Sequence, residues 1–354
     1  MKILWLAVSL PMIVRGQDTP AMSAALDAAM QTAIRDGMIP GGVLVVGHQG
    51  RIVHRKAYGS RTIVPTREPM TIDTIFDIAS LTKVVATTPA LMKLFEQGKI
   101  RMTDPLTAYL PEFQGGHSEI TVRDLMTHFS GLRPDLDLDP AWSGYDTGIR
   151  RALIDKPAGP PGTRFVYSDI NFVLLGEIVR RLSGHPLDEF AHEQIFEPLG
   201  MHETMFRPPE SLRSRIAPTE VDAATRIPMR GVVHDPTARF MGGVAGHAGV
   251  FSTGDDLAKY ASMLLAGGQS GGTRILSPLT IERFASPNSP PDQPVLRGLG
   301  WDIDSPYSAP RGELFPIGSY GHTGFTGTSL WLDSGLPFLL RFLCIHRCSR
   351  CRPR

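Results

Sequence analysis

Ser80-Leu81-Thr82-Lys83 sets a hydroxyl and an amine three residues apart. The segment follows a short strand-like run, Ile75 to Ala79, and opens a helix that reaches about Gln97, where Gly98 ends it. At a helix start, that spacing puts both side chains on one face. A serine hydroxyl is a weak nucleophile at neutral pH and needs a base within hydrogen-bond reach. A lysine that is desolvated, or close to other cations, has a lowered pKa and can accept the proton. The helix N-terminus carries roughly +0.5 charge, which favours negative charge developing at Ser80. The Ser80 N–H can also aim at an oxyanion. Together these point to acyl transfer through a covalent serine intermediate. An S-x-x-K alone also describes an N-cap serine followed by a solvated lysine, so the rest of the chain has to decide.

Phe76 to Lys83 (FDIASLTK) resembles the active-site segment of the serine β-lactamase and penicillin-binding protein superfamily, in its class C-like branch. Two further motifs follow in the order of that family. Tyr167-Ser168-Asp169 is similar to its Y-x-N, and His322-Thr323-Gly324 to its K-T-G in the H-T-G form found in some DD-peptidases. Pro161-Gly162-Thr163, Leu174-Leu175-Gly176 and the run from Met241 to Gly249 agree as well, and the resemblance spans about residues 21 to 333. It implies that Ser80 attacks a carbonyl and that Tyr167, close to Lys83, acts as phenolate or proton relay. A phenol has a pKa of ~10, and a nearby cation is expected to lower it. The resemblance further implies that the backbone N–H groups of Ser80 and Phe325 form an oxyanion hole, and that Asp169, His322, Thr323 and Gly324 contact substrate. No cofactor is implied.

Two positions depart from the family pattern. Asp169 stands where Asn is usual, and an ionised carboxylate only accepts hydrogen bonds. It is expected to pair with Lys83, hold it cationic and weaken it as a base. His322 in place of Lys removes a permanent cation, since an ordinary histidine titrates near ~6.5. Carboxylate recognition is then expected to be weaker or pH-dependent. Both changes lean away from efficient β-lactam hydrolysis and toward ester or D-alanyl peptide substrates. The other reading from a different class is a non-catalytic penicillin-binding or peptidoglycan-sensing protein, in which Ser80 acylates and never deacylates.

Other candidates carry less. Gly268-Gln269-Ser270-Gly271-Gly272 matches G-x-S-x-G, but that motif needs a strand before it and a helix after it, so the segment reads as a turn. His234 and His247 flank a glycine-rich stretch with Asp235 as the only nearby carboxylate, and no metal site is assigned.

The elements that position these groups follow from periodicity. Ala21 to Gly37 is an amphipathic helix, and Gly42–Gly47 with Arg51–Tyr58 reads as a hairpin turning at Gly50. Ile120–His128, Asn171–Leu182 and Asp255–Leu265 read as helices, and 207–240 as loop. Gly249–Thr253, Gly298–Ile303 and Gly327–Leu332 read as strands. Strands at both ends around short helices predict an α+β fold: an antiparallel sheet flanked by helices with an inserted all-helical domain, β-lactamase/transpeptidase-like. The expected parts are α/β over 17–85 and 241–333 with the helical insert over 86–240.

The 354 residues carry a formal charge of +1 with both signs intermixed, which gives no field for nucleic acid or an acidic membrane. The expected partner is a small ester, peptide or β-lactam, with no stable membrane insertion. Lys2 and the apolar run Ile3 to Val14 read as an export signal, residues 1–16, too short to span a bilayer. A secreted or periplasmic protein is therefore expected. The three cysteines, Cys344, Cys348 and Cys351, lie in an atypical tail, 334–354, that also holds five arginines. This composition shift predicts a frameshift or truncation near Ser334 and a sheet lacking an edge strand and a covering helix.

Overall fold

The computed structural model describes residues 20–333, except 117–118, 223–224, 309–310 and 313–314, together with the strand 339–346. The expected export signal, 1–16, and residues 347–354 lie outside the described residues. Helix α1 (Pro20–Arg35) leads into strands β1 (Gly41–His48), β2 (Arg51–Thr62) and β3 (Glu68–Pro69). The segment carrying Ser80 then runs into helix α2 (Thr88–Glu96). Helices α3 (Val122–Thr127), α4 (Asp169–Ser183) and α5 (Gly254–Leu265) follow, with a ten-residue helix (Tyr145–Ile154) and shorter helical turns among them. The chain closes through β4 (Leu296–Arg297), β5 (Asp302–Asp304), β6 (Tyr320–Thr323), β7 (Thr328–Asp333) and β8 (Leu339–His346).

These strands form one antiparallel sheet in the order β3-β2-β1-β8-β7-β6-β5-β4. The apolar run in β1 is explained by burial on both faces. Leu44 and Val46 join Met30, Ile39 and Tyr58 in a small core beneath α1. Val43 and Val45 point the other way into the large core, which also takes Leu257, Ala261 and Leu264 of α5. Each such side chain contributes roughly 1.5–3 kcal/mol on burial. Helices on both faces of an antiparallel sheet make the fold α+β, as the sequence pattern predicts.

Three local expectations change. Residues 207–240 contain a 3-10 turn at Glu210–Arg215 and a short helix at Pro236–Phe240. Val250–Ser252 is a strand, but it pairs with Phe76–Asp77 and Met205–Phe206 in a separate small sheet. Gly298–Trp301 is a turn joining β4 to β5, closed by Gly298 N–H donating to the Trp301 carbonyl (2.9 Å), with Gly300 at φ +82°. The G-x-S-x-G segment is a tight hairpin: Gln269–Ser270 pairs with Thr273–Arg274, and Gly271 and Gly272 both take positive φ.

One part of the expectation for the tail changes, the missing strand. Residues 339–346 supply β8, which pairs with β1 from Gly41↔His346 to Gly47↔Leu340 and with β7 from Thr328↔Cys344 to Asp333↔Leu339. The sheet therefore has its strand, and that strand is central. Leu339, Leu340, Phe342, Leu343 and Ile345 give the segment a strand's sequence propensity. An unusual content of Arg and Cys had masked that signal.

Candidate active site

Ser80 stands at the junction of the large core and the sheet. Asp77 is buried, and its two oxygens accept the N–H groups of Ala79 (2.8 Å) and His234 (2.7 Å). Burial pushes the Asp77 carboxyl up to about 6, against the pull of those two N–H bonds. The carboxylate holds Ala79 at φ +46°, a left-handed conformation costing about 1–3 kcal/mol for a non-glycine residue. Ser80 follows in a 3-10 turn (Ala79–Leu81) that continues as one π-helical turn (Lys83–Thr87) into α2. The sequence showed only a helix here.

The sheet grips this turn from the other side. Thr326 Oγ1 donates to the Asp77 carbonyl (2.7 Å) and Thr328 Oγ1 to the Ile78 carbonyl (3.1 Å). A Cβ on Gly324 would lie 2.2 Å from Thr328 Oγ1 and 2.5 Å from the Ile78 oxygen. Only glycine lets the β6–β7 turn sit this close to the nucleophile.

Lys83 is fully buried, with two hydrogen-bond acceptors and one ion-pair partner around its ammonium. It donates to Ser80 Oγ (3.0 Å) and to the His247 carbonyl (3.1 Å), and it pairs with Asp169 Oδ1 (2.6 Å). Asp169 is the first residue of α4, where the helix dipole favours an anion. Burial alone would depress Lys83. The charge of Asp169 is the first influence opposing it, and the net direction is above the ordinary lysine range. Lys83 is thus a fixed cation, as expected from Asp169, and not a lysine lowered by desolvation.

Tyr167 sits with its ring 5.0 Å from Lys83 Nζ. Burial pushes its phenol up. Lys83 pulls it down, Asp169 raises it further, and contacts with Ser80 and Lys83 lower it, with a net rise. The expected net lowering by Lys83 is therefore corrected: the group is a neutral phenol at neutral pH. His322 is also corrected. It is 3% exposed, and burial, then the charges of Arg297 and Lys83, push it well below the usual histidine range. Its Nδ1–H donates to the Thr323 carbonyl (2.8 Å), which fixes a neutral ring with the lone pair on Nε2. A pH-dependent cation at this position is not available near neutrality.

A cleft of about 160 Å³ is lined by Ser80, Tyr167, His322, Thr323, Gly324 and Phe325, and also by Arg297, Asp302 and Tyr307. Lys83 and Asp169 lie behind Ser80. Asp169, expected to touch substrate, instead faces Lys83. The last three lining residues were missed from sequence. Arg297 and Asp302 are buried and pair loosely, Nη1 to Oδ1 3.5 Å, with Arg297 Nη2 donating to the Gly300 carbonyl (3.2 Å). Nothing local marks an arginine before Gly298-Leu299-Gly300 as part of a site. Tyr307 and Phe325 are exposed and flank the mouth.

His234 and His247 do lie near the site. The His247 ring pairs with Asp235 (2.8 Å), and His234 stacks on Phe325 with centroids 5.3 Å apart. The carboxylates of Asp135, Asp169 and Asp235 lie within 4.8 Å of one another, and Thr237, Lys83 and His247 already engage them.

A nucleophile clamped by a buried ammonium, faced by a tyrosine and bordered by a strand ending in His-Thr-Gly matches the family signature in three dimensions. The family described as Beta-lactamase matches residues 26–342. The chain belongs to the Beta-lactamase family. Among its relatives in this family is a protein of Escherichia coli (strain K12) named "Putative D-alanyl-D-alanine carboxypeptidase", 32% identical over 326 residues, covering 82% of this chain and 74% of that one. Another, of Bacillus subtilis (strain 168), is named "N-acetylmuramyl-L-alanine amidase" and is 33% identical over 333 residues, covering 83% and 74%. The fold also matches the solved structure titled "EstCE1, a hydrolase with promiscuous acyltransferase activity", at a TM-score of 0.74 and 20% identity, covering 92% of this chain and 93% of that one. Among the described residues, no helix is long and apolar enough to cross a membrane.

Proposed function

We propose that this Beta-lactamase-family serine hydrolase acts on ester and peptide-like amide carbonyls, through an acyl-enzyme on Ser80. The observation that carries the reading is the contact of Ser80 Oγ with the buried Lys83 ammonium (3.0 Å) at the floor of an open cleft. With Lys83 fixed as a cation and Tyr167 neutral, the proton path runs through the phenol. Ser80 Oγ attacks the carbonyl carbon, its proton passes to Tyr167 Oη, and the Tyr167 proton passes to the leaving nitrogen or oxygen. The carbonyl oxygen becomes the oxyanion and is met by the N–H groups of Ser80 and Phe325. One such donor is worth roughly 3 kcal/mol in the transition state. Water then repeats the sequence in reverse and frees Ser80.

The charge inventory of the cleft supports neutral or weakly anionic substrates. Lys83 is neutralised by Asp169, His322 carries no charge, and Arg297 faces Asp302. β-Lactams and other substrates that present a carboxylate to the third motif are accordingly poor. The names of the relatives, a carboxypeptidase and a muramyl-alanine amidase, favour peptide-type amides of the cell wall, and the apolar run Ile3–Val14 favours export to the place where such material lies. The test is hydrolysis of p-nitrophenyl acetate, a D-Ala-D-Ala peptide and nitrocefin by wild type and Ser80→Ala. Ester or peptide turnover that disappears in the variant is expected. Fast nitrocefin turnover would overturn the substrate ranking. A stable adduct without turnover on any substrate would favour a penicillin-binding protein that only acylates.

A further inference from the structure

We propose that His128 is the positioning residue that holds Tyr167 in its relay geometry. The inference rests on the role given to Tyr167 above. His128 ends α3 and is fully buried, with a left-handed backbone at φ +62°, ψ +34°. From there it holds the tyrosine in three ways. The Val166 N–H donates to the His128 carbonyl (3.0 Å), and the Ser168 N–H donates to His128 Nδ1 (3.1 Å). The amides on either side of Tyr167 are thus both tied to one residue. The third contact is ring on ring: His128 stacks on Tyr167 with centroids 4.4 Å apart and planes at 26°.

The chemistry suits a fixed support. Because Nδ1 accepts from an amide, the proton sits on Nε2. Burial, followed by the charges of Arg297 and Lys83, keeps the ring neutral. A neutral ring packs against the phenol without adding a charge that would compete with Lys83. Phe172 backs the same ring at 5.3 Å and Phe165 meets it edge-on at 6.2 Å, so the imidazole cannot swing away. Tyr167 lies immediately before the helix cap Ser168, in a stretch with no regular secondary structure of its own. Without His128, one flanking amide would lose its side-chain acceptor and the phenol would lose its backing face. Correct placement of a reacting group is worth orders of magnitude in rate.

Two substitutions separate the contacts. His128→Phe keeps a ring for stacking but removes the Nδ1 acceptor. His128→Asn tolerates the left-handed backbone and keeps an acceptor near Nδ1, but removes the stack. The assay is p-nitrophenyl acetate hydrolysis, with near-ultraviolet circular dichroism and melting temperature as checks on folding. Each single variant is expected to lower kcat by about 10- to 100-fold with KM unchanged within twofold. In a Tyr167→Phe background, either change should cost less than twofold, because the group it positions is gone. Wild-type kcat in a folded His128 variant would overturn the inference, and so would an equal loss in both backgrounds, which marks a general structural role. Wild-type turnover in Tyr167→Phe alone would instead refute the relay, and the two failures are distinct.

Discussion

Asp169→Asn tests the claim that the lysine beside the nucleophile is a locked cation. The substitution preserves shape and a carbonyl oxygen while removing the charge 2.6 Å from Lys83 Nζ. Two unit charges at that separation attract by about 6 kcal/mol at an effective dielectric near 20, before desolvation is subtracted. Removing one partner of a buried pair costs about 3–5 kcal/mol. The retained carbonyl places this case at the lower end, about 3 kcal/mol. At roughly 2 °C per kcal/mol for a chain of this size, the melting temperature should fall by about 6 °C. The sign with pH follows from the direction of the Lys83 shift. A raised lysine contributes stability below its unfolded value and loses it only as pH climbs through the folded one, so this contribution to wild-type stability should stay flat from pH 6 to 9. Kinetics should move the other way. With Asp169 neutralised, the main influence opposing burial is gone, and the lysine becomes easier to deprotonate. The alkaline rise of kcat/KM on p-nitrophenyl acetate should then begin at lower pH than in wild type. A variant that melts with wild type and keeps the same pH–rate profile would refute the locked-cation reading.

Other substitutions follow from the same geometry. Ser80→Ala should abolish turnover, by about 10³-fold or more, and prevent covalent labelling by a fluorophosphonate, read by intact-protein mass spectrometry. Gly324→Ala should lower kcat by about 10-fold or more, because its methyl group would have to displace Thr328 Oγ1 and the Ile78 carbonyl, and a crystal structure should find the β6–β7 turn shifted from Ser80. Asp77→Asn should destabilise by about 1–3 kcal/mol, since its amide turns one of two N–H acceptors into a donor facing a donor, as measured by urea melts. Wild-type stability should fall as pH drops below about 6.5, because His54, His128 and His322 are all depressed, chiefly by burial, and an unfolded chain binds their protons more readily. His247, raised by Asp235 against burial, works in the opposite direction, so His247→Asn should steepen that loss.

Much of the site was legible because its groups lie at fixed local spacing. Ser80 and Lys83 share a helical face, and the Asp at 169 announced its own partner through charge. Helix α4 was readable from its apolar positions, and Ser168 caps it by accepting the Asn171 N–H. What stayed hidden depends on tertiary burial. The phenol of Tyr167 was expected to drop beside a cation, but the cost of dehydrating a phenolate is the larger effect, and only the folded chain fixes it. Arg297 and Asp302 meet across the β4–β5 turn, which no periodicity encodes. His128 looked like the last residue of a helix, and its left-handed exit is what turns the ring toward a segment forty residues away. The strand in the tail stayed hidden because composition was weighed above pattern: its near-continuous apolar run pairs with β1 and β7 in a slot that only the folded chain creates.

That slot has a consequence for biogenesis. The strand pairs from Gly41↔His346 to Gly47↔Leu340 join positions about 300 residues apart. Such distant pairing is slow to form. During synthesis, the hairpin made early from β1 and β2 must wait with an unsatisfied edge until almost the whole polypeptide has left the ribosome. A nascent chain stopped short of residue 339 would present two adhesive borders at once, one on each side of the gap.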